Sequence, residues 1–208
     1  MDRFVGGARG VRARGAGRRA HPRPHYRWQN NHDWKSTTPA LKKILEDGGL
    51  FRGDVLTTPP KDGDFSAFKP EFSRYRVVIS NYNDFPNGSK WPADVQAAFE
   101  KYVREGGGFV SYHAADNAFP EWTAFNLTAF SDPANKGTGH DEPMLMTIGF
   151  GKGRVFHTTL GHDVPAMECV GFMVTLRRGA EWAATGKVTV KVPPDFPTAD
   201  KASTRPLR

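Results

Sequence analysis

The chain has 208 residues, 12% of them aromatic and 25% charged, which suits one globular domain with a core of its own. Its net charge is +7, but residues 1–27 hold eight of the 29 bases and one of the 22 acids, leaving a neutral body with no phosphate-tracking surface. The lone cysteine, Cys169, excludes an intramolecular disulfide, a cysteine-rich metal centre and a CxxC pair, and no apolar run is long enough to span a bilayer.

Residues 1–27 are Gly, Ala and Arg with almost no large apolar side chains, so a disordered arm is expected there, without the apolar stretch of a secretory signal. The alternatives are a basic arm, an Arg-rich organelle presequence lacking the usual leucines and serines, or a segment that is not authentic coding sequence. After the polar-aromatic stretch Trp28 to Trp34, Thr38 and Pro39 read as the N-cap and first residue of a helix whose Leu41, Ile44 and Leu45 share one face. Gly48-Gly49 stops it. A short strand follows from Asp54 to Thr58, closed by Pro59-Pro60.

Lys61 to Ser73 reads as loop. Tyr75 to Asn81 is a strand whose continuous apolar centre suits a sheet covered on both faces. Pro92 and Asp94 open a helix with Val95, Ala98, Phe99, Tyr102 and Val103 on its buried stripe, ended by Gly106. Gly106-Gly107-Gly108 then feeds a buried strand, Phe109 to Tyr112, that delivers His113 to its carboxyl end. Phe119 to Asn126 reads as a short helix and Ser131 to Gly139 as turn. Met144 to Phe150 and Val155 to Thr159 form a hairpin around Gly151-Lys152-Gly153, a helical pattern runs from Met167 to Thr185, and Lys187 to Val192 alternates as a last strand. The domain is placed at residues 28–198, with a tail at 199–208.

Polar residues at loop or strand-end positions are His32, Asp33, Asn81, Asn83, His113, Asp116, Asn117, His162 and Asp163, where a doubly wound sheet exposes functional groups. A metal site is conceivable from His and Asp donors, but no HxH or HExxH spacing occurs and none is assigned. His157, inside a strand pattern, reads as structural.

Three separated stretches resemble the trehalose-utilisation (ThuA-like) family: Asn30-Asn31-His32-Asp33-Trp34, the triple glycine with His113-Ala114-Ala115-Asp116-Asn117, and Gly151-Lys152-Gly153 running on to Gly161-His162-Asp163. Gly179 to Gly186 fits the family's C-terminal helix, so the resemblance spans about Gln29 to Thr198. It implies an α/β, flavodoxin-like three-layer sandwich with a mostly parallel sheet, similar to class I glutamine amidotransferases. Where those enzymes present a cysteine nucleophile this chain has His113, so thiolate chemistry is not expected.

The resemblance further implies carbohydrate metabolism, on a trehalose-derived or keto sugar. His113 and His162 are then the candidates for proton transfer, with Asp163 or Asp116 orienting them. Asn31, His32, Trp34, Asn81, Tyr82, Asn83, Asp116 and Asn117 supply hydrogen bonds and aromatic surface to a small carbohydrate ligand. No cofactor is assigned, neither nucleic acid nor membrane is expected as a partner, and a homo-oligomer is left open. The competing readings are a non-catalytic sugar-binding or interaction module and a truncated product without activity. Two departures from the family motivate the latter: Arg-rich sequence stands where its first strand belongs, and a stretch near Asn126/Leu127 is missing.

Overall fold

Parallel strands buried on both faces need apolar side chains at consecutive positions, and Val77-Val78-Ile79 and Phe109-Val110 meet that need. A computed structural model describes residues 2–7, 9–10, 30, 32–84, 88–118, 144–198 and 200–207. In chain order the elements are β1 (Asp2–Gly7), β2 (Arg9–Gly10), α1 (Trp34–Asp47), β3 (Phe51–Gly53), β4 (Leu56–Thr57), β5 (Val77–Ser80), α2 (Ala93–Arg104), β6 (Gly108–Tyr112), β7 (Leu145–Phe150), β8 (Gly153–Thr158), α3 (Val164–Met167) and α4 (Val170–Thr185). Short 3-10 turns occupy Phe72–Arg74 and His113–Asn117.

Six strands form the main sheet in the order β3-β1-β5-β6-β8-β7, with β7 antiparallel to β8 and every other pairing parallel. Without β7 this is the doubly wound flavodoxin-like order, with its topological switch point between β1 and β5. Side-chain alternation divides the interior in two. Val77, Ile79, Val110 and Tyr112 face a core shared with Leu41, Ile44 and Leu45 of α1 and Phe172, Met173 and Leu176 of α4. Val78, Phe109 and Val155 face the other core, with Val95, Phe99 and Tyr102 of α2. At Gly108 a Cβ would stand 2.4 Å from Ala183 O, so glycine there lets α4 lie directly on β6.

The strand expected to be missing is present. Asp2–Gly7 sits between β3 and β5, in register Asp2↔Phe51 to Phe4↔Gly53 on one side and Phe4↔Val77 to Gly7↔Ser80 on the other. Both neighbours offer unpaired backbone donors and acceptors, so a short segment with Phe4-Val5 at its centre suffices to complete the ladder. Arg9–Gly10 pairs antiparallel with Leu56–Thr57 in a separate two-stranded sheet. The expectation of a disordered arm is therefore corrected for residues 2–7 and 9–10.

Other boundaries move as well. α1 starts at Trp34 because the Asp33 carboxylate caps it, accepting from Ser36 N at 3.3 Å, and Pro39 lies inside the helix. The main-sheet strand after α1 is Phe51–Gly53, while Leu56–Thr57, within the expected Asp54–Thr58 strand, pairs with β2. The long helical pattern is broken between Met167 and Val170. Lys187 to Val192 is no strand. Residues 200–207 are docked: Thr204 bridges Cys169, Ser203 O accepts from Val170 N at 3.0 Å, and Arg205 N donates to Glu168 O at 2.8 Å. The expected helix at Phe119–Asn126 and the 126/127 junction lie outside the described residues.

Candidate functional site

At the carboxyl end of β6 the chain turns sharply. Tyr112 is extended, His113 takes φ +47°, and the 3-10 turn begins at once. This left-handed conformation is costly for a residue with a Cβ, and it aims the imidazole across the strand ends. His113 Nδ1 lies 2.7 Å from Thr159 O, one residue beyond β8. A carbonyl only accepts, so Nδ1 carries the proton and Nε2 of the neutral ring presents its lone pair. That lone pair faces Nδ1 of His162 at 3.0 Å.

His162 is carried on the loop between β8 and α3. Gly161 before it has φ +86°, its carbonyl accepts from the Tyr112 hydroxyl, and a Cβ there would meet the Phe172 ring at 2.5 Å. Burial, reinforced by the negative charge of Asp163, pushes the Tyr112 phenol far up, so it remains a hydrogen-bond donor to this loop.

The third imidazole comes from the loop ahead of α1. His32 N donates to Asn30 Oδ1 at 2.9 Å, and Trp34 N donates to His32 O at 2.8 Å. Asn30 Nδ2 reaches Asn81 O at 2.9 Å, tying the loop to the end of β5. The rings of His32, His113 and His162 lie 4.8–4.9 Å apart between centroids with interplanar angles of 83–88°, three mutually perpendicular planes. Burial and then the neighbouring imidazoles of His113 and His162 lower the pKa of His32, favouring its neutral form. His32 and His113 are half-buried and His162 is exposed. Their donor nitrogens lie within 4.8 Å of one another, close enough to exchange a proton between neighbours or to be drawn onto one ion.

The remaining sequence candidates fall elsewhere. Asp163 was expected to orient a catalytic imidazole, but its carboxylate caps α3, accepting from Ala166 N at 2.8 Å. The orienting contact on His113 comes from a backbone carbonyl instead. Trp34, Asn81, Tyr82 and Asn83 were expected to face a ligand, yet they are only 5%, 3%, 0% and 2% exposed. Asn81 Nδ2 donates to Thr37 Oγ1 at 3.3 Å and Thr38 Oγ1 at 3.2 Å, and the Tyr82 hydroxyl donates to Ser89 O. Asn81 thus ties the strand end to α1, and Tyr82 ties it to the loop ahead of α2. Asn31 lies outside the described residues, as do the side chains of Asp116 and Asn117. His157 is buried within β8.

Asn30, Thr37, Thr38, Tyr112, Thr159 and Gly161 were not among the expected site residues. Asn30 stood inside the quoted Asn-Asn-His-Asp-Trp stretch, whereas a carbonyl such as that of Thr159 leaves no side-chain signal. A cavity of about 410 Å³ against α4 shares none of the three histidines. Its lining is mostly apolar, with Phe156, Val174, Trp182 and Val188, and its one ionisable side chain, Arg178, donates to Val190 O.

Comparison with known proteins bears on the family and the fold. The ThuA family model, described as trehalose utilisation, matches residues 25–132. A crystal structure of a ThuA-like protein from Parabacteroides merdae ATCC 43184 is similar over 85% of this chain and 94% of that chain, at 33% identity and a TM-score of 0.77. No curated protein matches the chain. With more than half of the sequence matched by the family model and the fold shared at that identity, the chain belongs to the trehalose-utilisation (ThuA-like) family.

Proposed function

We propose that the protein acts in carbohydrate metabolism, taking a small trehalose-derived or keto-sugar ligand at the carboxyl ends of the parallel strands and working on it with the imidazoles gathered there. The observation that carries this reading is the pinned tautomer of His113. With Nδ1–H held by Thr159 O, Nε2 is left as a base, and His162 Nδ1 at 3.0 Å is its proton partner. Such a pair suits removal of a proton from a carbon beside a carbonyl, or from a hydroxyl, with one imidazole taking the proton and the other returning it.

The test is proton exchange. The purified chain is incubated with trehalose and with keto-sugars in deuterated buffer, and NMR follows loss of carbon-bound protons. Exchange is expected with a keto-sugar and is expected to fall by about 10²-fold or more in His113→Ala and His162→Ala. Exchange that persists unchanged in both variants removes the proposed roles, and a sugar that binds but is returned unaltered makes the protein a binding module.

A further inference from the structure

We propose that His32, His113 and His162 together hold one divalent transition-metal ion of the zinc type, with a coordination position left open toward solvent. This stands on the imidazole geometry alone and not on the carbohydrate reading.

Two imidazole nitrogens bound to one such ion at about 2.0–2.1 Å, with an angle between right and tetrahedral, are separated by roughly 2.8–3.4 Å. His113 Nε2 and His162 Nδ1 already lie 3.0 Å apart. His32 supplies a third ring nitrogen within a spread of 4.8 Å, wider than one ion allows, so the three rings must draw together as the ion binds. The three rings stand at right angles to one another on three different segments, and His162 is exposed, so a set of three donors leaves a fourth position of a tetrahedral ion for solvent.

A second observation concerns what lies behind His113. A metal-bound histidine characteristically donates its other ring N–H to a carbonyl or carboxylate, which fixes the tautomer and turns the lone pair to the metal. Thr159 O does this for His113 at 2.7 Å. The backbone strain at φ +47° is hard to assign to folding alone, because the residue it positions ends half-buried beside an exposed imidazole. Among the described residues the donors are three nitrogens without a thiolate or carboxylate, which favours zinc and its borderline neighbours over magnesium or calcium. With the ion in place, the His113 lone pair is a ligand and no longer a base; proton transfer then falls to a water that the ion acidifies, and the ion can polarise a ligand carbonyl.

The full chain, stripped with a chelator and dialysed, is titrated with Co²⁺ alone while visible absorption is recorded, and Zn²⁺ is then added in competition. One equivalent of Co²⁺ with a d–d band displaced by Zn²⁺ is expected. Affinity is expected to drop at least tenfold in each of His32→Ala, His113→Ala and His162→Ala. His162 is exposed, so its variant keeps the fold, as circular dichroism will verify, even if His113→Ala does not. No uptake by the folded chain, or uptake unaltered in His162→Ala, overturns the proposal. Metal uptake without sugar binding leaves the metal site standing and removes the carbohydrate reading. Sugar turnover by a chain that takes up no metal does the reverse.

Discussion

His113 is the residue on which local strain and chemistry meet. At φ +47° a side chain with a Cβ costs about 1–2 kcal/mol, whereas glycine adopts the conformation freely but gives up about 0.4–1 kcal/mol of unfolded-chain entropy. His113→Gly is therefore expected to be more stable than His113→Ala by about 0.5–1 kcal/mol, both without the imidazole. Urea unfolding measures the difference, and an alanine variant equal to or above the glycine one would show that the turn is unstrained. Gly161 makes the opposite case. Its φ of +86° and a Cβ position 2.5 Å from the Phe172 ring leave no room, so Gly161→Ala is expected to cost about 1–3 kcal/mol and to weaken Co²⁺ uptake by moving His162. Both residues could be read from the sequence as strand-end features. Their partners could not, because the Thr159 carbonyl and the Tyr112 hydroxyl contact are products of the fold.

Among the elements, the segment after α4 shows what alternation alone fails to decide. Lys187 to Val192 has the period of a strand, but a strand also needs a neighbouring edge. Its amides turn instead to Glu181, 6% exposed, whose carboxylate accepts from Thr189 N at 2.8 Å, Val190 N at 3.0 Å and the Thr189 hydroxyl. Burial pushes the Glu181 pKa up, but these hydrogen bonds and Arg178 outweigh it, so the net shift is downward. A folded-state pKa below the unfolded one contributes stability that is present above the unfolded value and lost as pH falls through the folded value. Glu181→Gln is thus expected to cost about 1–2 kcal/mol at pH 7, with the gap to the parent closing below about pH 4. A gap independent of pH would mean that the carboxylate charge contributes nothing. By contrast, β5, α2, β6 and the β7–β8 hairpin were legible to within about two residues at each end, since each is defined by its own buried pattern. The α1 boundary was missed because Thr37 and Thr38 serve Asn81 with their hydroxyls, leaving the cap to Asp33.

At the scale of the whole molecule, the sheet depends on its shortest argument from sequence. Averaged over residues 1–27, composition conceals a six-residue strand, because that strand draws its pairing from neighbours on both sides rather than from its own apolar content. Yet β1 joins the α1–β3 unit to the rest of the sheet, and with it His32 to His113 and His162. Removing residues 1–10 strips three register pairs from β3 and four from β5. At about 1 kcal/mol for each backbone hydrogen bond lost, the cost is several kcal/mol, against a total stability of about 5–15 kcal/mol for a domain. What remains between α1 and the other half includes the α1–α4 packing and the bond from Arg177 Nε to Ile44 O at 2.6 Å. A chain beginning at residue 11 is therefore expected to lose at least 10 °C in thermal midpoint, to unfold over a broadened transition, and to lose Co²⁺ uptake as the three imidazoles separate. Calorimetry and the cobalt spectrum read these effects separately. An unchanged, cooperative midpoint would show that β5 keeps its place without β1, and that residues 28–198 hold the site on their own.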